Sequence, residues 1–183
     1  MSETARLFTD SLLTNNMTIA YFLGILFAVI ESKSIKNSFI KALRFAIAIF
    51  LVNILGWIFN YLLPAGYEAL VPALFFVSTM MGISFLRLLG ELEGEYLAMP
   101  KFLFFLAPLF GSQWLIQGAN YNYPEMITST SGHILGFYLI FVFTAAIKEK
   151  VIVSDASPVF KKYSTVLAAL AMLAMGIIGF HLI

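Results

Sequence analysis

The chain has 183 residues, of which 61% are hydrophobic and only 11% charged, and its mean hydropathy is +0.92. Soluble domains carry roughly a quarter charged residues, so this composition excludes a water-soluble globular enzyme, a disordered chain and a nucleic-acid-binding module. Eleven basic residues against ten acidic ones give a net charge of +1 with no polybasic tail, and the absence of cysteine excludes disulfides, thiolate metal sites, cysteine-ligated iron–sulfur clusters and cysteine nucleophiles.

A helix needs about 20 apolar residues to cross a hydrocarbon core of about 30 Å. Stretches free of charge and near that length run over 11–30, 45–63, 69–86, 102–123, 126–147 and 163–183. The turn sequences Leu63-Pro64-Ala65-Gly66 and Asn120-Tyr121-Asn122-Tyr123-Pro124 separate neighbouring stretches. The expected fold is therefore an all-α membrane protein with six transmembrane helices in a single polytopic domain, 1–183. The segment 1–10 holds Arg6 between Glu3 and Asp10 and is expected to form a short interfacial turn and not a signal peptide.

Ten of the eleven lysines and arginines fall in or beside the loops after stretches one, three and five: Lys33, Lys36, Lys41, Arg44, Arg87, Lys101, Lys148, Lys150, Lys161 and Lys162. Positive residues favour the cytoplasmic side, so both termini are expected outside. Trp57, Tyr61, Tyr67, Tyr121 and Tyr123 gather at the opposite boundary, where amphipathic rings prefer to lie.

Two stretches carry polar clusters. Thr14-Asn15-Asn16 interrupts the first, and Gly111-Ser112-Gln113 with Gln117-Gly118 interrupts the fourth. Unpaired polar groups cost several kcal/mol in hydrocarbon, so both clusters should face protein or water. Each lies in the first helix of a three-helix half. This suggests two inverted three-helix repeats, about 1–90 and 91–183, whose broken first helices meet near the midplane. Asn15, Asn16, Gln113 and Gln117 are accordingly the candidate transport-path residues. For Asn15 and Asn16, capping and interhelical bonding stand beside that reading; for Gln113 and Gln117, one turn apart, interhelical bonding is preferred to substrate contact. Asn53 and Asn60, two turns apart, read the same way. His133, with Ser129 and Ser131 nearby, reads as a hydrogen-bonded packing residue before a proton relay. Glu91, Glu93 and Glu95 form a solvated acidic loop, and small residues of the last stretch, such as Ala168, Ala171 and Gly176, allow close helix packing. No nucleophile–base pair, phosphate loop or metal-ligand spacing is present, so no catalytic or metal residue is assigned.

Asn15-Asn16-Met17, Phe22-Leu23-Gly24, Ser32-Lys33, Phe105-Leu106-Ala107-Pro108-Leu109 and Ile147-Lys148-Glu149-Lys150 with Ser154-Asp155 and Pro158 occur in that order. In this order they resemble segments of the Rnf/Nqr membrane subunits, the branch called RnfA and NqrE. The resemblance spans nearly the whole chain. It implies a six-helix, inverted-repeat subunit of the prokaryotic inner membrane, paired with a sister subunit of the RnfE/NqrD kind. The pair would sit in a redox-driven, ion-translocating complex whose other subunits carry flavin or iron–sulfur centres. It also implies one cluster-ligating cysteine in helix one and one in helix four, at positions held here by Leu26 and Trp114. Leucine offers no donor and indole only an N–H, so this chain is expected to hold no cofactor itself. Trp114 would fill the vacated space. A non-redox transporter or channel component, or a membrane assembly subunit on the same fold, are the alternative readings.

Overall fold

The computed structural model describes residues 2–32, 34–90, 101–153 and 163–181. Lys33, the Glu91-Glu93-Glu95 stretch and Ser154-Asp155 with Pro158 lie outside them. The described residues form α1 (Glu3–Leu12), α2 (Ile25–Glu31), α3 (Ile35–Leu62), a 3-10 turn (Glu68–Leu70), α4 (Val71–Leu88), α5 (Lys101–Gly118), α6 (Tyr123–Val153) and α7 (Tyr163–His181), with no strand among them. Three helical segments are long and apolar enough to cross a membrane, Ile35–Leu62, Glu68–Leu88 and Tyr123–Ile152, and Thr165–Gly176 is a shorter apolar helix.

The first predicted stretch is not one helix. Ser2 caps α1 by accepting from Ala5 N at 3.3 Å, so the charged segment expected to be a short turn is instead a ten-residue helix. It ends at the Thr14-Asn15-Asn16 cluster. The chain then runs in irregular turns to Gly24, which caps α2 with φ +86°. The expected break therefore occurs in the first half. In the second half it does not: α5 runs unbroken through Gly111, Ser112, Gln113 and Gln117. The polar side chains of Ser112 and Gln113 bond across to α3 and α4 or back to their own helix, which leaves the backbone ladder nothing to compete with.

The core is aromatic. Phe27 stacks on Phe45 with ring centroids 4.3 Å apart and lies 4.9 Å from Phe105 and 5.4 Å from Phe141, tying α2 to α3, α5 and α6. Val166, Leu170 and Ala174 dock α7 against Ile140 and against Ile19, Ile25 and Val29. Glycine makes room where helices touch. A Cβ on Gly136 of α6 would stand 2.7 Å from the carbonyl of Leu12, and one on Gly132 would stand 2.8 Å from that of Phe8, which is why α1 lies directly on α6.

One end of the bundle is basic and tied by charge. Lys148 donates to the carbonyls of Val29, at 2.8 Å, and Ser32, closing the C-terminus of α2. Its neighbour Glu149 accepts from Ile35 N, at 2.8 Å, at the start of α3. Cation on carbonyl and anion on N–H follow the partial charges of the two helix ends. Lys41 pairs with Glu31, and Arg44 donates to Leu89 O at 3.2 Å. The Lys148-Glu149 pair is thus a clamp across the α2–α3 junction. Lys148→Met is expected to lower the unfolding midpoint in detergent by the equivalent of about 1.5–3 kcal/mol, the usual worth of a hydrogen bond to a charged group, while Lys148→Arg keeps most of it. An unchanged midpoint in Lys148→Met would remove the clamp. The other end is aromatic: Trp57 stacks on Tyr61 at 5.4 Å, lies 5.2 Å from Tyr123 and donates to Tyr121 O at 3.3 Å.

Candidate functional site

The four path candidates separate into two places. Asn16 is fully buried between α1 and α6, where its Nδ2 donates to Ser11 O at 3.0 Å and His133 O at 3.1 Å, and its Oδ1 accepts from Thr18 N at 2.9 Å. Next to it His133 Nδ1 accepts from Met17 N at 3.3 Å, which leaves Nε2 to carry the proton of the neutral ring. Ser11 and Ser129 share a hydroxyl bond of 2.9 Å. The expected packing role of His133 is thus visible as the acceptor for an irregular backbone. Asn15 is exposed. It lines a cleft of about 380 Å³ together with Ser11, Tyr21, Trp114, Tyr121 and His133.

Gln113 lies elsewhere, among α3, α4 and α5. It is 2% exposed, and its Nε2 donates to Thr79 Oγ1 at 2.8 Å and to Phe75 O at 3.2 Å. Ser78 Oγ donates to its Oε1, and Ser112 Oγ donates to Asn53 Oδ1 at 3.1 Å. The amide fits because residue 56 is glycine: a Cβ there would stand 2.4 Å from Gln113 Oε1. One turn along α5, Gln117 lines a cavity of about 510 Å³ at the aromatic end, with Trp57, Asn60, Asn120 and Asn122. The asparagines of the first half and the glutamines of the second therefore do not meet, because α5 turns Gln113 toward α3 and α4 and away from α1. Ser78-Thr79 was the partner that sequence reading passed over. Its signal was two hydroxyls side by side in the middle of an apolar stretch.

Leu26 and Trp114 are 50% and 56% exposed. Trp114 does not fill an interior space, contrary to expectation; it stands on the rim of the Asn15 cleft. The donor chemistry at these two positions does not fit an iron–sulfur cluster, since neither side chain has a lone pair to give a metal. Among the described residues no group of three or more His, Cys, Asp or Glu comes together.

Long apolar helices packed through glycine, buried neutral amides and a charged end opposite an aromatic end define a polytopic helical membrane protein. No family model matches the chain. Over an alignment of 189 residues, 98% of this chain and 97% of the relative, it is 24% identical to the RnfA subunit of the ion-translocating oxidoreductase complex from Yersinia enterocolitica and to that from Yersinia pestis. The RnfA subunit of Erwinia tasmaniensis matches to the same degree, 24% identity over 98% of the chain. The chain belongs to the Rnf/Nqr-type family of membrane subunits.

Proposed function

We propose that this chain is a cluster-free Rnf/Nqr-type subunit of a multi-subunit, redox-linked ion-translocating complex, serving as membrane scaffold and as part of the ion path. The observation that carries this reading is the near end-to-end match to relatives named as subunits of an ion-translocating oxidoreductase complex. In this reading the described helices belong to six crossings in two inverted halves, about 1–90 and 91–183. The first crossing is the broken pair α1–α2, and α5 and α7 complete the set. The basic end, tied by Lys41, Arg44 and Lys148, faces the cytoplasm. The aromatic end and both termini face outward across the inner membrane, in keeping with the bias of lysine and arginine. A sister subunit of the RnfE/NqrD kind and subunits carrying flavin or iron–sulfur centres are the partners. Asn15 and Asn16 support the scaffold, and Gln113 and Gln117 the path.

Affinity purification of the tagged chain from its own membranes, with iron and acid-labile sulfide assayed on the separated polypeptide, tests this. The expected result is a co-purifying complex of flavin- and iron-bearing partners with no cluster iron on this chain. A chain that purifies without partners and moves an ion in vesicles would favour the non-redox channel or transporter reading, which the polar cavities beside Gln117 and Asn15 also suit. Cluster iron bound by the chain itself would contradict the cluster-free assignment.

A further inference from the structure

The polar cluster between α3, α4 and α5 has more acceptors than protons. Ser78 Oγ has one proton and two acceptors in reach, its own helix carbonyl at Phe75, 3.0 Å away, and Gln113 Oε1. Ser112 is placed the same way, between Leu109 O at 3.0 Å and Asn53 Oδ1 at 3.1 Å. When both hydroxyls bond back to their own helix, four side-chain oxygens, of Asn53, Ser78, Ser112 and Gln113, are left facing one another without a proton between them. Asn53 is 1% exposed, yet its Nδ2 has no partner. A half-turn of its amide exchanges the two ends, so that Nδ2 donates to Ser112 Oγ and the oxygen becomes the free end. In either orientation one end of a buried amide is left for a guest.

The cluster also has an approach. Gln117 lies one turn beyond Gln113 on α5, and Trp57 and Asn60 lie one and two turns beyond Asn53 on α3. These three residues line the cavity at the aromatic end, whose rim adds Asn120 and Asn122. Neutral amides thus step from an open cavity to a closed oxygen cluster along two adjacent helices. No carboxylate or basic side chain lies among the cluster residues named, so neither an anion nor a divalent ion has a countercharge there. A small monovalent cation suits such a site, because carbonyl and hydroxyl oxygens can replace its hydration shell without a fixed charge.

We infer that Asn53, Ser78, Ser112 and Gln113 form a dehydrated binding site for a small monovalent cation, reached from the aromatic-end cavity past Gln117 and Asn60. The inference rests on the ion-path reading above and names its substrate class. The only two tryptophans, Trp57 and Trp114, flank the cluster, one turn from Asn53 and next to Gln113, and report on it directly.

The test uses the purified full chain in detergent. Tryptophan fluorescence and the unfolding midpoint are followed in NaCl, KCl and choline chloride at matched ionic strength. The expected result is a saturable fluorescence change and a raised midpoint in Na⁺ or K⁺ over choline. Ser112→Ala should weaken the half-saturation by about tenfold, the equivalent of 1.4 kcal/mol, and Gln113→Leu should abolish the response. Asn53→Asp adds a charge to the ring of oxygens and should tighten it by a similar factor. If Gln113→Leu fails to fold, Ser112→Ala and Asn53→Asp, moving in opposite directions, still decide the matter. Equal behaviour in all three salts, as a trapped water would produce, overturns the site. A selective response in a chain whose complex moves no ion supports the site and removes the reading it rests on. An ion-moving complex built on a chain with no selective response overturns the site alone.

Discussion

Asn16→Leu is expected to lower the unfolding midpoint severely, and Asn15→Leu hardly at all. The two asparagines are neighbours in sequence but not in circumstance. Asn16 is 0% exposed and bonds Ser11 O, His133 O and Thr18 N. Asn15 is exposed on the rim of its cleft, so its replacement falls in the range of about 0.5 kcal/mol usual for surface positions. Leucine at 16 leaves two carbonyls and one N–H without partners, at about 1–3 kcal/mol each when buried. Chains unfolded within a bilayer or micelle find substitute partners, which reduces the net effect to about 3 kcal/mol in total.

The loss should also be local before it is global. The Asn16 amide bonds both the end of α1 and the backbone of α6 at His133. Without it the irregular segment 13–24 loses its anchor, and Tyr21 and Phe22, 50% and 57% exposed, should become chymotrypsin sites at temperatures where α3 and α6 are still folded. Far-ultraviolet circular dichroism and limited proteolysis, run on both variants, separate the two effects. Equal midpoints for Asn15→Leu and Asn16→Leu would show that the break is held by the packing of α1 on α6 and not by this amide.

The break in the first half could be read from residues because three polar side chains in succession cannot all be satisfied by one helix within hydrocarbon. The same reasoning misjudged Gly111-Ser112-Gln113. A serine can bond back to its own helix and a glutamine can reach a neighbouring one, so polarity inside a stretch marks a place that needs partners, not necessarily a break. Only the position of α4, which brings Ser78 and Thr79 opposite, decides between those outcomes, and a single sequence does not contain it. Helix α1 was hidden for another reason: its charged residues suggested an aqueous turn, while Ser11 and the bare backbone at Gly132 and Gly136 are what seat it on α6. The family-like motifs fared better once their contacts were visible. The Lys148-Glu149 pair ties the ends of α2 and α3, and Leu23-Gly24 meets Pro108, so two distant motifs of the chain are one contact in space.

That contact sets the second large effect. Gly24 begins α2 with φ +86°, a conformation that costs an L-residue about 1–2 kcal/mol. A Cβ there would also stand 2.9 Å from the ring of Phe137 and 3.2 Å from Pro108 Cβ, and overpacking of this kind costs about 1–3 kcal/mol. Gly24→Ala should therefore destabilise the chain by about 2–5 kcal/mol, the sum of the two ranges. Asparagine tolerates the left-handed region better than alanine but carries the same Cβ, so the difference between Gly24→Asn and Gly24→Ala isolates the backbone share, and what remains in Gly24→Asn is the crowding against Phe137 and Pro108. Phe137→Leu in the Gly24→Ala background should return part of the crowding share by withdrawing the ring, and none of the backbone share. Unfolding midpoints of the four proteins decide it. If Gly24→Ala unfolds like the parent chain, α2 starts elsewhere than at Gly24, and the Phe27 cluster that joins it to α3, α5 and α6 cannot be assembled as described.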